Sequence, residues 1–154
     1  METTMNNELN ILALDIATHC GFCTETAHGV WDLSIKRDES SGMRLIRFKH
    51  KLKEIFKLEE INLVAFERTS GRHKNSLIVQ SELHGVLKSL CEEESIEYRA
   101  FSAKEIKKFA TGKGNANKTT MIEAAQTKLG MTSDDDNEAD AMWIYEVMKD
   151  SLGI

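Results

Sequence analysis

Short apolar runs alternate with longer helical patterns along this chain and predict an α/β fold. The run NILALDI (10–16) is almost wholly apolar and places Asp15 at its end, which is typical of a buried central strand. CGFCTE and GVWDLSI follow it with a short turn between them, and they predict two strands that continue as a meander. INLVAFE (61–67) has the pattern of a second strongly buried strand, and IEYRAFS (96–102) has that of a third parallel strand.

Apolar residues at helical spacing fill the segments between and after these strands. This period runs through 45–56, runs again through 76–93 after the polar loop RTSGRHKN, and predicts three more helices after the last strand. A meander followed by helix, strand, helix, strand and helices predicts a mixed α/β sheet flanked by helices. The 154 residues contain no repeat, low-complexity tract or linker, so we expect a single domain over 1–154.

Composition narrows the class of protein without defining its chemistry. Hydrophobic residues make up 41% of the chain and charged residues 29%, as in an ordinary globular protein. No apolar run approaches the length of a membrane span, and the start METTMNNE lacks a signal-peptide pattern, so we expect a cytoplasmic protein. Cys20-x-x-Cys23 has no second pair and lies in a strand pattern, which favours two packed thiols over a zinc or redox site.

Five carboxylates crowd into the segment SDDDNEAD before the apolar part of the last helix. Asp134 and Asp135 suit a helix start, where free N–H groups favour negative charge. Asp136 and Asp140 instead share a stripe with apolar residues, about 40° apart around the helix, so we expect Asp140 to face the core. Glu138 points about 160° away from Asp140, which predicts a solvated side chain.

Carboxylates also end the two most apolar strands. By strand alternation, Asp15 shares a face with Ala13, and Glu67 shares one with Ala65. If these strands are neighbours, both side chains converge, and Asp140 can join them. A single carboxylate in this position usually only begins a loop, whereas three that converge repel one another unless cations are bound. Oxygen ligands of this kind suit Mg²⁺ or Mn²⁺ and serve two-metal phosphodiester cleavage, so both interpretations remain open from the residues alone.

The segment TGKGNANKTT has two further interpretations. It differs from the P-loop pattern by one residue and follows a helical pattern, whereas a P-loop follows a strand, so we expect no nucleotide cofactor. Its lysines and glycine N–H groups could contact a phosphate backbone, or the segment could be a plain loop between helices. ALDIAT is similar to the first phosphate loop of actin-like ATPases, but 154 residues are too few for the two domains such enzymes need.

Four motifs, in order, resemble a known family. LALDIATHCGF, VAFERTSG, SAKEIKKFATGKGNANKTTM and DDNEADAMWI are similar to motifs of the RuvC-type Holliday-junction resolvases of the ribonuclease H-like superfamily, and the small phage-encoded members are the most similar. The resemblance covers roughly residues 9–150 and implies a ribonuclease H-like mixed five-stranded sheet. It also implies a homodimeric endonuclease that cuts four-way DNA junctions by paired, symmetrical nicks with Mg²⁺ or Mn²⁺, two ions per active site.

The resemblance assigns the carboxylates to catalytic and metal-binding positions. Asp15 matches the family's first-strand aspartate, Glu67 its fourth-strand glutamate, and Asp140 its last helical aspartate. The fourth ligand of the family normally lies three residues before the last aspartate, where this chain has Asn137. Asp136 can reach the same helix face from one residue earlier, so we expect Asp136 to be the fourth ligand.

The same resemblance and the basic clusters predict the DNA contacts. Lys107 and Lys118 match lysines that the family carries near the scissile phosphate, and Lys118 is included among the catalytic residues. Lys113, Arg72 and Lys74 are added as DNA-binding residues because they lie in basic segments of an acidic chain whose net charge is −5. Such clusters are most often solvated faces, which is the alternative.

Two alternative functions follow from the same residues. A non-catalytic protein that binds DNA structures could have the same fold, although buried carboxylates without metal would only destabilise it. A flap or debranching nuclease would use the same chemistry on another branched substrate.

For the dimer, the apolar helix over 76–93 could pack on the sheet and on a second copy of itself.

Overall fold

The computed structural model describes residues 8–69 and 74–154, which contain a five-stranded sheet. The strands are β1 (Ile11–Asp15), β2 (His19–Cys23), β3 (His28–Asp32), β4 (Leu63–Glu67) and β5 (Glu97–Phe101). Their order across the sheet is β3-β2-β1-β4-β5. The pairs β1–β2 and β2–β3 are antiparallel, and the pairs β1–β4 and β4–β5 are parallel. The predicted meander and parallel strands are therefore confirmed.

Helices flank the sheet as the apolar periodicity predicts. They are α1 (Gly42–Leu58), α2 (Lys74–Glu94), α3 (Ala103–Thr111), α4 (Lys118–Leu129) and α5 (Asp136–Ser151). α2 begins two residues before the predicted start at 76, so Lys74 belongs to a helix and not to the preceding loop. Among the described residues, no helix combines the length and the apolar character that a membrane crossing needs.

Alternate residues of the central strands face two different layers of helices. The layer of α3, α4 and α5 packs against Ile11, Ala13, Leu63 and Ala65. The layer of α1 and α2 packs against Leu12, Leu14, Val64 and Phe66. Full burial of one such large apolar side chain contributes roughly 1.5–3 kcal/mol, so the alternation in the sequence fixes which face of each strand meets which layer.

The cysteines are packed thiols, as predicted. Cys20 and Cys23 are three residues apart on one strand, so Cys20 lies in the core under α1 and α2 and Cys23 in the core under α5. Together with Cys91, they are free and buried, and burial raises the pKa of each thiol. Two thiols on opposite faces of a sheet cannot share one zinc ion.

Candidate active site

Asp15 and Glu67 lie at the carboxyl ends of two neighbouring parallel strands. The β1–β4 register pairs Leu14 with Phe66, and the next residue of each strand is the carboxylate. Strand alternation then turns both carboxylates toward the layer that contains α5, because Ala13 and Ala65 face that layer. Both side chains are partly buried. The register and the alternation together bring the two acids to one edge of the sheet, as predicted.

α5 adds two further carboxylates to this edge. Asp135 caps the helix by accepting a 2.9 Å hydrogen bond from the Glu138 N–H, so α5 begins at Asp136. Asp140 lies one turn further along and is partly buried, next to the buried residues Ala139 and Ala141. The predicted inward orientation of Asp140 is confirmed by its burial and by its electrostatic environment.

The proximity of the carboxylates is visible in their pKa values. Burial raises the pKa of Asp15 well above its ordinary range, and the negative charges of Asp140, Glu67 and Asp136 raise it further. Burial, followed by the charges of Glu67 and Asp136, raises the pKa of Asp140 to about 7. Burial also raises the pKa of Glu67. Like charges held together in a partly dry site disfavour ionisation, so these carboxylates keep their protons to higher pH, and their ionised forms repel one another.

Two lysines, one from α3 and one from α4, partly offset the negative charge of these carboxylates. α3 begins with a capping box formed by Ser102 and Glu105, and the helix carries Lys107 to a position where its charge lowers the pKa of Glu67 and Asp140. α4 begins at Lys118, whose Nζ lies 3.4 Å from Asp136 Oδ2 and whose charge also lowers the pKa of Asp140. The structure therefore places both predicted lysines with the carboxylates.

The other predicted DNA-binding residues lie at the surface or outside the described residues. Lys113 is exposed on the loop between α3 and α4, and Lys74 is exposed at the start of α2. Arg72 lies outside the residues that the structure describes. Neither Lys74 nor Lys113 is among the main causes of the pKa shifts of the carboxylates given above.

The TGKGNANKTT segment is a connection between helices. Gly112 ends α3 with a φ of 83°, a left-handed conformation that favours glycine, and its N–H donates to the Lys108 carbonyl oxygen at 2.8 Å. Asn117 caps α4 by accepting a 2.9 Å hydrogen bond from the Thr120 N–H. The segment follows α3, whereas a P-loop follows a strand, and Gly112 and Asn117 are explained by the helix ends that they form.

The prediction of a solvated Glu138 is wrong. Its carboxylate lies 2.6 Å from His28 Nδ1 and accepts a 2.8 Å hydrogen bond from Ser133 Oγ, and only 12% of its side chain is exposed. The part of the prediction that points Glu138 away from Asp140 around the helix agrees with the structure. The other side of α5, however, packs against the start of β3, which local periodicity does not reveal.

Sequence reasoning also missed a buried histidine behind Glu67. His84 of α2 places Nε2 3.3 Å from the Glu67 carbonyl oxygen and Nδ1 2.7 Å from the Gln80 carbonyl oxygen. This ring therefore connects the end of β4 to α2. A lone histidine on an apolar helix face was the available signal, but the sequence alone does not give its partner.

The fourth ligand position has two candidates at the edge of one cleft. A surface cleft of about 480 Å³ is lined by Asp136, Asn137 and Lys118, among other residues. Of Asp136 and Asn137, only Asp136 carries a charge, and that charge contributes to the raised pKa of both Asp15 and Asp140. The electrostatics therefore associate Asp136 with the other carboxylates.

The side-chain positions of the carboxylates do not match the coordination geometry of a metal site. Across residues 8–69 and 74–154, no three His, Cys, Asp or Glu side chains have the arrangement that holds a metal ion. Any ion held by three of them would require side-chain rotation. The backbone positions that bring the carboxylates together are already set by β1, β4 and α5.

The order of the strands and the flanking helices define a ribonuclease H-like fold, and comparison with known proteins identifies the family. The sequence model of "Crossover junction endodeoxyribonuclease RuvC" matches residues 19–145, which include Glu67 and Asp140, while Asp15 lies just before the matched range. The chain therefore belongs to the RuvC family and is a junction-resolving endodeoxyribonuclease. The predicted family is confirmed, and the greater similarity to phage-encoded members stays a prediction.

Individual relatives agree with this assignment. The crossover junction endodeoxyribonuclease RuvC of Brachyspira hyodysenteriae is 28% identical over 109 residues, which are 70% of this chain and 68% of that protein. The structure is similar to Thermus thermophilus RuvC, with a TM-score of 0.75, 18% identity and coverage of 94% and 97% of the two chains. The yeast mitochondrial Holliday junction resolvase has a TM-score of 0.63, 12% identity and coverage of 90% and 77%. At these identities, the structural likenesses concern the fold.

Proposed function

We propose that this chain is a divalent-metal-dependent nuclease that resolves four-way DNA junctions by paired, symmetrical nicks. The observation that carries the proposal is the convergence of Asp15, Glu67, Asp136 and Asp140 at one edge of the sheet in a member of the RuvC family. The alternative is a non-catalytic protein that binds DNA structures on the same fold. The retention of mutually repelling carboxylates supports cleavage, because without a cation they only destabilise the fold.

The donor set of this edge fits Mg²⁺ or Mn²⁺. Carboxylate oxygens are the ligands that such hard cations prefer. Burial and then neighbouring negative charges raise the pKa of Asp15 and Asp140, and burial raises the pKa of Glu67, so a bound cation would stabilise the ionised form of all three. Asp15, Glu67, Asp136 and Asp140 would hold the ions. Two bound ions would activate a water molecule and stabilise the leaving oxygen during phosphodiester cleavage.

The remaining residues of the edge neutralise charge and position the DNA. Lys107 and Lys118 lie near the carboxylates and can offset the negative charge that develops on a phosphate in the transition state. The side chain of Lys118 is 83% exposed and forms an ion pair with Asp136, so its ammonium group can move from this carboxylate to a phosphate. His84 and the β1–β4 register fix the backbone at Glu67, which limits the movement of its carboxylate.

Affinity for DNA is assigned to basic residues of the chain, because the chain as a whole has a net charge of −5. Lys107, Lys113, Lys118 and Lys74 belong to this set, and Arg72 joins it from the segment outside the described residues. Lysines that neutralise phosphates release condensed counterions, so binding should weaken steeply as salt rises. The carboxylates repel phosphates until cations neutralise them.

A homodimer accounts for paired nicks. In a twofold-symmetric dimer, each protomer presents the same active site to a symmetry-related strand of the junction. α2 supports this arrangement because Leu77 and Ile78 remain 37% and 49% exposed on its surface. These apolar side chains are suited to contact with a second copy of the helix.

Cleavage of synthetic DNA tests the proposal. Four-way, three-way and flap DNA are incubated with the wild-type chain and with Asp15→Asn, with Mg²⁺, with Mn²⁺ or with a chelator. We expect two symmetrical nicks in the four-way junction with either ion, none with the chelator, and none with Asp15→Asn although that variant still binds the junction. Binding by the wild type without cleavage under any of these conditions would support the non-catalytic alternative.

A further inference from the structure

Another cleft lies at the carboxyl ends of β4 and β5, on the face of the sheet that α2 covers. Its volume is about 540 Å³. Phe66 and Ala100 contribute apolar surface from the strands, and buried His84 contributes the edge of its ring from α2. The charged and hydroxyl side chains around the cleft are Arg68, Lys88, Thr69 and Ser81. The cleft is thus formed by the ends of two strands on one side and by α2 on the other.

In the described part of the chain, the two charged side chains that line this cleft are both cationic. Arg68 and Lys88 are exposed cations, and the hydroxyl groups of Thr69 and Ser81 can donate hydrogen bonds. Among the described residues, no Asp or Glu lines this cleft, and neither cation pairs with a carboxylate. In a chain with a net charge of −5, two unpaired cations beside one cleft form a local site for an anion.

His84 shapes the cleft but does not offer a free donor to a ligand. Both of its ring nitrogens lie within hydrogen-bonding distance of carbonyl oxygens, those of Gln80 and Glu67. Its ring also meets the Phe66 ring edge-on, with the ring centroids 5.1 Å apart. These contacts hold α2 against the end of β4, so the distance between the two walls of the cleft is fixed by the fold.

The cleft and the carboxylates flank the end of the same strand. Glu67 faces α5, whereas Phe66, one residue earlier, faces α2. Arg68 follows directly, and its N–H donates a 2.8 Å hydrogen bond to the Phe101 carbonyl oxygen, which extends the pairing of β4 and β5. A DNA strand that crosses the end of β4 can therefore have one phosphate at the carboxylates and another phosphate at the cleft.

We propose that this cleft binds a non-scissile backbone phosphate of the DNA substrate, with Arg68 and Lys88 as its cationic contacts. Arginine presents several donors in a planar fork that fits two phosphate oxygens, and lysine adds a mobile point charge. The hydroxyl groups of Thr69 and Ser81 complete the donors on the two walls. The inference deepens the proposed function and rests on it, because it assigns a second phosphate position to the same substrate.

Salt-dependent binding of a synthetic four-way junction tests this site. Arg68→Ala/Lys88→Ala is compared with Lys53→Ala/Lys57→Ala, which removes the same charge from exposed positions of α1. We expect the first variant to raise the dissociation constant about tenfold or more and to reduce the slope of log K against log salt by about 1–2, while the control changes neither appreciably. Equal effects of the two double variants would overturn the proposal, because they would reflect net charge alone.

A charge placed in the cleft provides an independent test. Ser81 is exposed on α2, so Ser81→Glu and Ser81→Gln should both fold, which thermal unfolding verifies. Because Ser81 lies one turn from Leu77, sedimentation velocity must also show the same oligomeric state for both variants. We expect Ser81→Glu to weaken junction binding several-fold more than the uncharged Ser81→Gln, because a carboxylate repels a phosphate at this position. Equal affinities of the two variants would contradict the site. The proposed function is tested separately, by metal-dependent cleavage with the wild-type chain, so either failure can be recognised by itself.

Discussion

The Asn137 carbonyl oxygen of α5 occupies the space that a side chain at Gly21 of β2 would need. A Cβ atom built on Gly21 would lie 1.9 Å from this oxygen and 3.2 Å from the Ala141 Cβ atom. Gly21 also pairs with Asp15 in the sheet. The absence of a side chain at residue 21 therefore allows the start of α5, with Asp136 and Asp140, to lie against the strand that carries Asp15.

Gly21→Ala should therefore displace α5 and separate the carboxylates. Because the clash is with backbone, we expect a loss of about 2–4 kcal/mol in the free energy of unfolding and a large loss of junction cleavage. Urea unfolding and cleavage assays measure the two effects. Gly42→Ala is the matched control, since a Cβ atom there meets nothing within 4 Å. Wild-type stability and cleavage in Gly21→Ala would show that the approach of α5 is not limiting.

The fourth ligand can be assigned by two neighbouring substitutions. Asp136→Asn removes a charge that acts on Asp15 and Asp140, so we expect it to raise the Mg²⁺ concentration for half-maximal cleavage by about tenfold or more. Asn137→Ala removes only a neutral amide and should retain most cleavage. Titration of cleavage against Mg²⁺ measures both variants. The reverse result, with Asn137→Ala inactive and Asp136→Asn normal, would assign the position to Asn137.

The raised pKa of Asp140 predicts how stability depends on pH without divalent cations. Its ordinary pKa of 3.8 becomes about 7 in the folded state, so the folded protein holds this proton more tightly than the unfolded chain does. Stability associated with this proton is therefore fully present below pH 3.8 and is lost as pH rises through about 7. We expect a decrease of about 1–3 kcal/mol across this window in the presence of a chelator.

Unfolding by urea at several pH values measures this effect. Asp140→Asn should reduce the dependence and leave the part that is due to the raised pKa of Asp15 and Glu67, while Asp134→Asn, at an exposed position before α5, should retain the wild-type profile. Mg²⁺ should restore more stability at pH 8 than at pH 5, because the ion binds the ionised carboxylates. A wild-type profile in Asp140→Asn would contradict the assignment of this proton to Asp140.

The dimer can be tested on the exposed surface of α2. Ile78→Glu adds a charge to an apolar position that is 49% exposed, so we expect it to shift a wild-type dimer toward monomer at micromolar concentration. Leu58→Glu makes the same change at a position of α1 that is 77% exposed and should leave the dimer intact. Sedimentation velocity measures the populations. A monomeric wild type with full paired cleavage would exclude the proposed assembly.

Local periodicity was sufficient for the individual strands and for the direction of most carboxylates at the edge, whereas the order of the strands in the sheet is a tertiary feature. Asp15 and Glu67 were predicted to converge if their strands are neighbours, because each ends an apolar strand on the same face as its buried alanine, and the pairing of β1 with β4 meets that condition. The inward position of Asp140 followed from its spacing to apolar residues of the same helix. These features depend on residues two or four positions apart, so the period of a strand or helix determines them.

The tertiary structure decided the features that join distant parts of the chain. α5 can approach β2 because residue 21 is a glycine. Glu138 is buried because it pairs with His28 of β3. The backbone at Glu67 is connected to α2 through His84. The cleft beside Arg68 likewise needs the end of β4 and one side of α2 to meet. A sequence period gives the direction of a side chain from its own helix or strand, but not which element packs there. That depends on the packing of the whole sheet between its two layers of helices.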